Sequence, residues 1–386
     1  MTPGLLPGNR ITLLQNGVEF FPALQAAINA AQHEVHLETY IFAHDDTGRT
    51  IAAALSRAAL RGVKVHLMLD GFGSRTLPRQ VLDGMRRDGV EILTFRPEPG
   101  LLHLRRNRLR RLHRKLCMVD ARIAFVGGIN IIDDLDTPDQ IPPRYDYAVR
   151  VEGAILTQIA PVMRRLWKLV KWTQGRGRSR LQHSVVAHIA PAGDQHATLL
   201  IRDNLRHRRD IEQAYLDAIS AARSEIVIAN AYFLPGIRFR RALIEAAERG
   251  VHVTLLLQGR VEYRLLHYAT RALYGQFLAA GIKICEYHRS FLHAKVAVVD
   301  RRWATVGSSN IDPFSLLLAR EANVVVEDSP FAAQLRASLQ AAMDTGSQCL
   351  IHDSWIHRPW YKRSLVWLAY GTVRFMMGML GYGKQS

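Results

Sequence analysis

The chain has 386 residues, 48% of them hydrophobic, which is too long for one small core and too apolar for a disordered or collagen-like polymer. Its 51 Lys and Arg against 34 Asp and Glu leave a formal charge of +17, so an anionic partner is expected: nucleic acid, an acidic membrane or a phosphorylated small molecule. Cys117, Cys285 and Cys349 are an odd, widely spaced set that fits a reducing compartment and gives no disulfide framework or zinc site; Cys117 and Cys285 are expected to be small buried side chains.

The opening stretch MTPGLLPGNR has no basic start followed by an apolar core, so no signal peptide is expected there. Residues 27–42, AINAAQHEVHLETYIF, read as a helix running into a strand. Residues 52–71, AAALSRAALRGVKVHLMLDG, repeat that order, with Gly62 where a helix C-cap glycine belongs. The run GVKVHLMLDG is short, apolar and rich in Val and Leu, as buried parallel strands are. A further helix is expected near 78–88, a strand at 90–95 and a closing helix near 153–172. The series then recurs. AISAARSEIVIANAYF (218–233) matches the first stretch, and RRALIEAAERGVHVTLLLQG (240–259), with Gly250, matches the second; a helix near 264–280 and a strand at 282–287 follow.

Such alternation predicts an α/β architecture, and its recurrence predicts an internal duplication of whole domains. The junction is placed in TQGRGRSRLQHS, which lacks apolar periodicity. The expected layout is a first half at 1–172, a linker at 173–184, a second half at 185–357 and a C-terminal apolar and basic segment at 358–386.

Each half also carries one polar motif. HRKLCMVD (113–120) runs into ARIAFVGGIN, and HAKVAVVD (293–300) runs into RRWATVGSSN. Alternate residues of a strand share a face, so His113 points with Lys115 and His293 with Lys295. Asp120 and Asp300 have the opposite parity. They are expected to anchor the motif, and another carboxylate should orient each imidazole. Asp146, in YDYAVRVEG, and Glu321, in REANVVVED, open Val-rich strands at matching places and are the candidates. Gly127 and Asn130 lie seven and ten positions past Asp120, as Gly307 and Asn310 do past Asp300. Glycine permits close backbone approach and an Asn amide can donate to a phosphoryl oxygen. Brought together, the halves would supply two His, two Lys and two Asn to one phosphodiester. One imidazole would attack phosphorus and the other would protonate the leaving alkoxide. This chemistry needs no metal and no cofactor, and no carboxylate cluster suggests one.

A lone His-x-Lys is a weak signal; the full pattern, twice, inside a visible duplication, is a strong one. The two motifs resemble the HKD motifs of the phospholipase D superfamily. Over roughly residues 8–355 the chain is similar to bacterial cardiolipin synthases, the shorter B type most, through GNRITLLQNGVEFF, RGVKVHLMLDGFGS, RIAFVGGIN and GSSNIDPFS. The resemblance implies two duplicated phospholipase D-like α/β halves packed face to face, with one active site at their interface. It implies catalytic residues His113, Lys115, Asp120, His293, Lys295 and Asp300, with His113 as nucleophile and His293 as acid and base. It places the extra carboxylates at Asp146 and Glu321. Two departures stand out: Ser308-Ser309 replaces Gly128-Ile129, so Ser308 is expected to add a phosphate-binding hydroxyl, and the second carboxylate is Glu. The implied reaction is phosphatidyl transfer, two phosphatidylglycerols giving cardiolipin and glycerol, with phosphatidylethanolamine as a possible donor.

The substrate side has its own signals. HLRRNRLRRLHRK (103–115) mixes Arg with Leu, so Arg105, Arg106, Arg108, Arg110 and Arg111 are expected to meet anionic headgroups. LVWLAYGTVRFMMGMLGY (365–382) is interrupted and short for a spanning helix, which needs about 20 apolar residues. HRPWYKR precedes it as an aromatic and basic collar. Either this segment lies in the membrane interface or it packs on protein. These features favour anionic phospholipid partners and peripheral membrane attachment, with no nucleic acid; the resemblance to bacterial cardiolipin synthases implies the cytoplasmic face of the inner membrane. A hydrolase or nuclease of the same superfamily, and a non-catalytic membrane-binding scaffold, are the alternatives.

Overall fold

The computed structural model describes residues 4–97, 110–137, 141–175, 190–203, 206–261, 264–312, 319–351 and 360–379. The first half runs β1 (Leu6–Gln15), α1 (Asn16–Ala30), β2 (Glu34–Thr39), α2 (Asp46–Leu60), β3 (Lys64–Asp70), α3 (Arg79–Arg87), β4 (Glu91–Phe95), β5 (Lys115–Val119), β6 (Ile123–Gly127), β7 (Tyr147–Gly153) and α4 (Leu156–Thr173). The second runs β8 (Gln195–Arg202), α5 (Asp210–Ala221), β9 (Glu225–Asn230), α6 (Ile237–Glu248), β10 (His252–Gln258), α7 (Arg264–Arg271), α8 (Tyr274–Ala279), β11 (Lys283–Tyr287), β12 (Lys295–Val299), β13 (Trp303–Gly307), β14 (Glu321–Glu327), α9 (Ser329–Gly346) and β15 (Ser347–Cys349). A last helix, α10, spans Trp360–Met379.

The duplication extends to the sheet. The strands lie in the order β15-β11-β10-β9-β12-β13-β14-β8-β1-β7-β6-β5-β2-β3-β4. Reading outward from the central β8–β1 pair gives the same succession in both directions, with β15 added at the outer edge of the second half. Two strands unseen in the sequence, β1 and β8, make this seam by antiparallel pairing of Leu6 with Ala197 and Asn9 with Gln195. Their runs mix Pro, Gly, Asn and His with apolar residues, which blurs the alternation that marks a strand. The inner faces of the halves also pack on each other, with Leu116, Val126 and Val149 in one core with Val296, Val306 and Val324. Separate apolar layers sit under α1 and α2 in one half and under α5 and α6 in the other. The expected helix over 264–280 is divided into α7 and α8. Gly62 and Gly250 both take φ of +89°, the left-handed conformation for which glycine is the least strained residue.

Each motif strand turns back on itself at its aspartate. Asp120 and Ala121 have φ of +50°, as do Asp300 (+50°) and Arg301 (+49°), and Arg122 N and Arg302 N donate to the carbonyls of Val119 and Val299. These are two-residue turns of the type whose twist matches paired strands. The Asp120 carboxylate accepts from the backbone N–H of Gln32, His33 and Glu34 at 2.8–2.9 Å, clamping the start of β2. Asp300 holds Arg223, Ser224 and Glu225 in the same way. Three charge-assisted bonds in a buried turn support an expected result: Asp120→Ala should lower unfolding stability by about 2–4 kcal/mol, read from denaturant midpoints. Activity per folded molecule should survive. A catalytic Asp120 would instead cost turnover at unchanged stability.

The cysteine reading needs correction. Cys117 is free and buried, as expected. Cys285 is disulfide-bonded to Cys349, directly opposite it in the β11–β15 ladder. Cys349 lies in a short polar run that carries no strand signal, so its proximity to Cys285 was illegible in the sequence. Alkylation of the denatured protein without reductant should label one thiol per chain, with mass spectrometry as the readout, and reductant should raise the number to all three. Three labelled thiols without reductant would refute the bridge.

Candidate active site

The motif strands β5 and β12 deliver their histidines to the interface of the halves. Leu112 bridges Arg320, and Tyr145 bridges Leu292, across that interface. His113 N donates to the Arg320 carbonyl at 3.0 Å, and His293 N to the Tyr145 carbonyl at 2.8 Å. The next residue in each case holds the ring. Glu321 Oε1 lies 2.9 Å from His113 Nδ1, and Asp146 Oδ2 lies 2.6 Å from His293 Nδ1. Each half thus grips the other's histidine twice, by a carbonyl and by the adjoining carboxylate. The pairing is crossed, a choice the sequence had left open. Because each Nδ1–H donates to a carboxylate, each Nε2 carries the lone pair when the ring is neutral.

His113 and His293, with Asn130 and Asn310, line one cavity of about 480 Å³. Asn130 accepts the Ile41 N–H on its side-chain oxygen at 3.1 Å, which leaves its NH2 to donate elsewhere. Lys115 and Lys295 are buried beneath the histidines, where each donates to the carbonyl of its own motif histidine; the Lys115 bond is 2.6 Å. Lys295 also stands 3.7 Å from Asp146. Burial lowers the Lys115 pKa to about 7, opposed by the charges of Glu321 and Asp146. Burial also lowers both imidazoles, with the lysines adding to the effect against the carboxylates; His293 falls to about 3. Burial would raise Asp146, but Lys295 and His293 outweigh it and hold this carboxyl below its usual range.

Six expected site residues do not line the cavity: Lys115 and Lys295, expected to face the phosphate beside their histidines, instead lie beneath them, Glu321 acts through His113, and Asp120, Asp300 and Ser308 point elsewhere. Asp120 and Asp300 act on backbone amides, as their parity indicated. Ser308 was expected to face phosphate, yet its hydroxyl donates to Glu321 Oε2 at 2.6 Å and it is fully buried. It therefore orients the carboxylate that orients His113. The first half explains the difference. A Cβ on Gly128 would come within 2.4 Å of an Asp146 oxygen, so the short carboxylate needs glycine, whereas the longer Glu321 leaves room for a hydroxyl.

The basic run divides. Arg105, Arg106 and Arg108 lie outside the described residues. Arg110 is half-buried. Arg111 was expected at a headgroup, but it stacks over the Phe72 ring and approaches Asp70 at 4.0 Å. Arg114, between His113 and Lys115, is buried in a two-pronged ion pair with Glu38. The second half has Ala294 and Ala229 at the matching positions.

The sequence reading also missed part of the cavity wall. Asp134, Arg144 and Asp312 line it, and burial lifts Asp134 to about 6. Asp312 follows Asn310 by two positions and Asp134 follows Asn130 by four, so neither has a twin in the other half. A search for repeated residues passes over both. Leu265, Leu266, Val373 and Met376 complete an apolar wall. They belong to α7 and α10, which pack together. On α10, Ala369 and Val373 are buried while Trp367, Leu368 and Phe375 are exposed. No helix of the described residues is long and apolar enough to cross a membrane.

Comparison with known proteins identifies the family. A family profile described as "Cardiolipin synthase, PLD-like domain" matches residues 24–135 and 215–343. Cardiolipin synthase B of Escherichia coli K12 is 40% identical over 97% of this chain and 90% of its own length. Cardiolipin synthase B of Salmonella typhimurium is 38% identical over 99% of this chain and 92% of its own. The crystal structure of phosphatidylserine synthase from Haemophilus influenzae shares the fold, with a TM-score of 0.74 at 14% identity, covering 98% of this chain and 97% of that one.

Proposed function

Starting from the fact that this chain belongs to the cardiolipin synthase family with phospholipase D-like domains, we propose that it transfers a phosphatidyl group from one phosphatidylglycerol to another, giving cardiolipin and glycerol. The observation that carries the reading is the crossed pairing, which turns two Nε2 atoms from different halves into one cavity. His113 Nε2 attacks phosphorus, and the P–O bond to the headgroup glycerol breaks. His293 gives that oxygen its proton, so glycerol leaves and phosphatidyl-His113 remains. His293 then takes a proton from a hydroxyl of the second phosphatidylglycerol. The resulting oxygen attacks phosphorus, the P–N bond breaks, and cardiolipin forms. Asn130 and Asn310, which line the cavity, steady the phosphoryl oxygens where charge accumulates, and the buried Lys115 and Lys295 add positive charge from beneath the histidines. Docking at the cytoplasmic face of an inner membrane, with cationic and apolar surface combined, fits the same reading.

The protein should convert vesicles of phosphatidylglycerol to cardiolipin and free glycerol, with lipid products identified by mass. Phosphatidic acid as the main product would make it a hydrolase. Cardiolipin formed only when phosphatidylethanolamine is added would reassign the donor. Cleavage of an oligonucleotide in place of lipid would overturn the reading.

The proton balance gives a further expected result. His293 must be protonated to serve as acid, yet burial, with Lys295 adding to it, lowers its pKa to about 3. An anionic phosphodiester raises it, because a nearby negative charge favours the imidazolium. Binding a phosphonate analogue of phosphatidylglycerol at pH 6 should therefore take up a proton. Calorimetry in buffers of different ionisation heat measures this, and His293→Gln should reduce the uptake. Lys115, charged below about pH 7 and neutral above it, should weaken binding of the same analogue as pH rises through that value.

A further inference from the structure

We propose that α7 and α10 form the acyl portal of the cavity: the chains of a bound phospholipid leave across Leu265, Leu266, Val373 and Met376 and enter a bilayer seated against the outer face of α10. This inference rests on the phospholipid reading above and specifies how such a substrate reaches the site.

The cavity walls differ in chemistry. The loops of the first half contribute Asp134 and Arg144, suited to a hydroxylated headgroup. The first half also gives Ile41, Ile129 and Ile132, and the second half gives Asn310 and Asp312 together with the apolar side chains of α7 and α10. A volume of about 480 Å³ lies in the range that encloses one drug-sized molecule. It holds a phosphodiester and a headgroup but not two long acyl chains as well. The chains must therefore leave the cavity, and water is a poor medium for them. The α7 and α10 wall is apolar and also reaches the surface, whereas Ile129 and Phe291, which line the cavity elsewhere, are buried.

This wall continues onto the surface. Met376 lines the cavity and is itself 39% exposed, and Leu265, also in the lining, is 40% exposed, so apolar side chains of this wall reach from the site to the exterior. Beside them α10 presents Leu368 at 68%, Phe375 at 66% and Trp367 at 48% exposure. One helix thus has two apolar faces. Ala369 and Val373 seat it on the protein, and the opposite side has no protein cover among the described residues. Exposed apolar patches of this kind mark interaction sites. The exposed Arg374 and Arg264 flank the patch on a chain of net charge +17, which suits an anionic bilayer better than a second copy of the same cationic chain. A substrate drawn sideways from the bilayer would keep its chains in lipid throughout, and the cavity would stay shielded from water, which competes with the acceptor hydroxyl.

The test uses the full chain on vesicles of phosphatidylglycerol whose acyl termini carry a photoreactive diazirine. Adducts should map to residues 264–271 and 366–376. In parallel, Leu265→Trp and Met376→Trp narrow the portal. For each, the ratio of kcat/KM on long-chain phosphatidylglycerol to that on water-soluble dihexanoyl phosphatidylglycerol should fall about tenfold. Adducts confined to other surfaces, or unchanged ratios in both variants, would overturn the portal. Chain-to-chain adducts through α10 would assign the face to a second copy and overturn it as well. Should a variant fail to fold, the adduct map on the unaltered chain still decides. Failure to make cardiolipin from either lipid sinks the functional reading, whereas cardiolipin formation with adducts elsewhere sinks the portal alone.

Discussion

Alanine at His293 should stop cardiolipin synthesis yet leave half of the reaction intact. Departure of glycerol needs a proton, so turnover of phosphatidylglycerol should fall on the order of 10³–10⁵-fold. A phosphatidyl ester of 4-nitrophenol needs no such help, because its phenolate leaves unprotonated. With that substrate His293→Ala should release one equivalent of nitrophenolate in a burst. It should then stall, since nothing activates the acceptor hydroxyl. The stalled protein should carry a phosphatidyl group on His113, seen as an acid-labile mass increment on the peptide holding residues 113–119. His113→Ala should give neither burst nor adduct. An adduct on His293 in the His113→Ala protein would reverse the two roles.

The second large effect concerns the carboxylates. Asp146→Asn keeps the shape of the side chain but removes the charge that fixes the His293 tautomer and stabilises its protonated form. Comparable substitutions beside catalytic imidazoles cost roughly 10²–10⁴-fold in turnover. Glu321→Gln should do the same through His113. Crossing makes the prediction specific. In spectra of protein labelled with 15N-histidine, Asp146→Asn should move the ring nitrogens of His293, 147 positions away, more than those of His113, 33 positions away. Equal movement of both, or a larger movement of His113, would refute the pairing.

Much of this arrangement was legible because the chain states it twice. The strands after Gly62 and Gly250, the helix caps and the spacing from each motif Asp to its Asn recur at matching offsets, and parity assigned Asp120 and Asp300 to the rear of the motif. Whatever lacks a twin stayed hidden. Asp134 and Asp312 occupy unrelated offsets, Arg114 and Glu38 have alanines as their counterparts in the repeat, and Cys349 finds Cys285 only through an edge strand. Ser308 misled for a related reason. Its difference from Gly128 looked like a gain at the phosphate, but it compensates for the extra methylene of Glu321, and that compensation is set by packing across two strands. The order of partners across the interface was equally closed to inspection, since residues 113 and 321 become neighbours only once the sheet folds on itself.

The crossed grip has a further consequence. A half taken alone would hold a catalytic imidazole without the carboxylate that gives it direction, and a carboxylate without an imidazole. Chemical competence is therefore a measure of alignment between the halves. A slip of one ångström at the β8–β1 seam would detune both acid–base units together, because each is anchored on both sides of it. A substitution that loosens that seam would therefore lower reactivity without touching a reacting atom. In an enzyme of this design one register between the halves sets both acid–base units at once, and the structure has that register in place, with each imidazole held by a carboxylate of the opposite half.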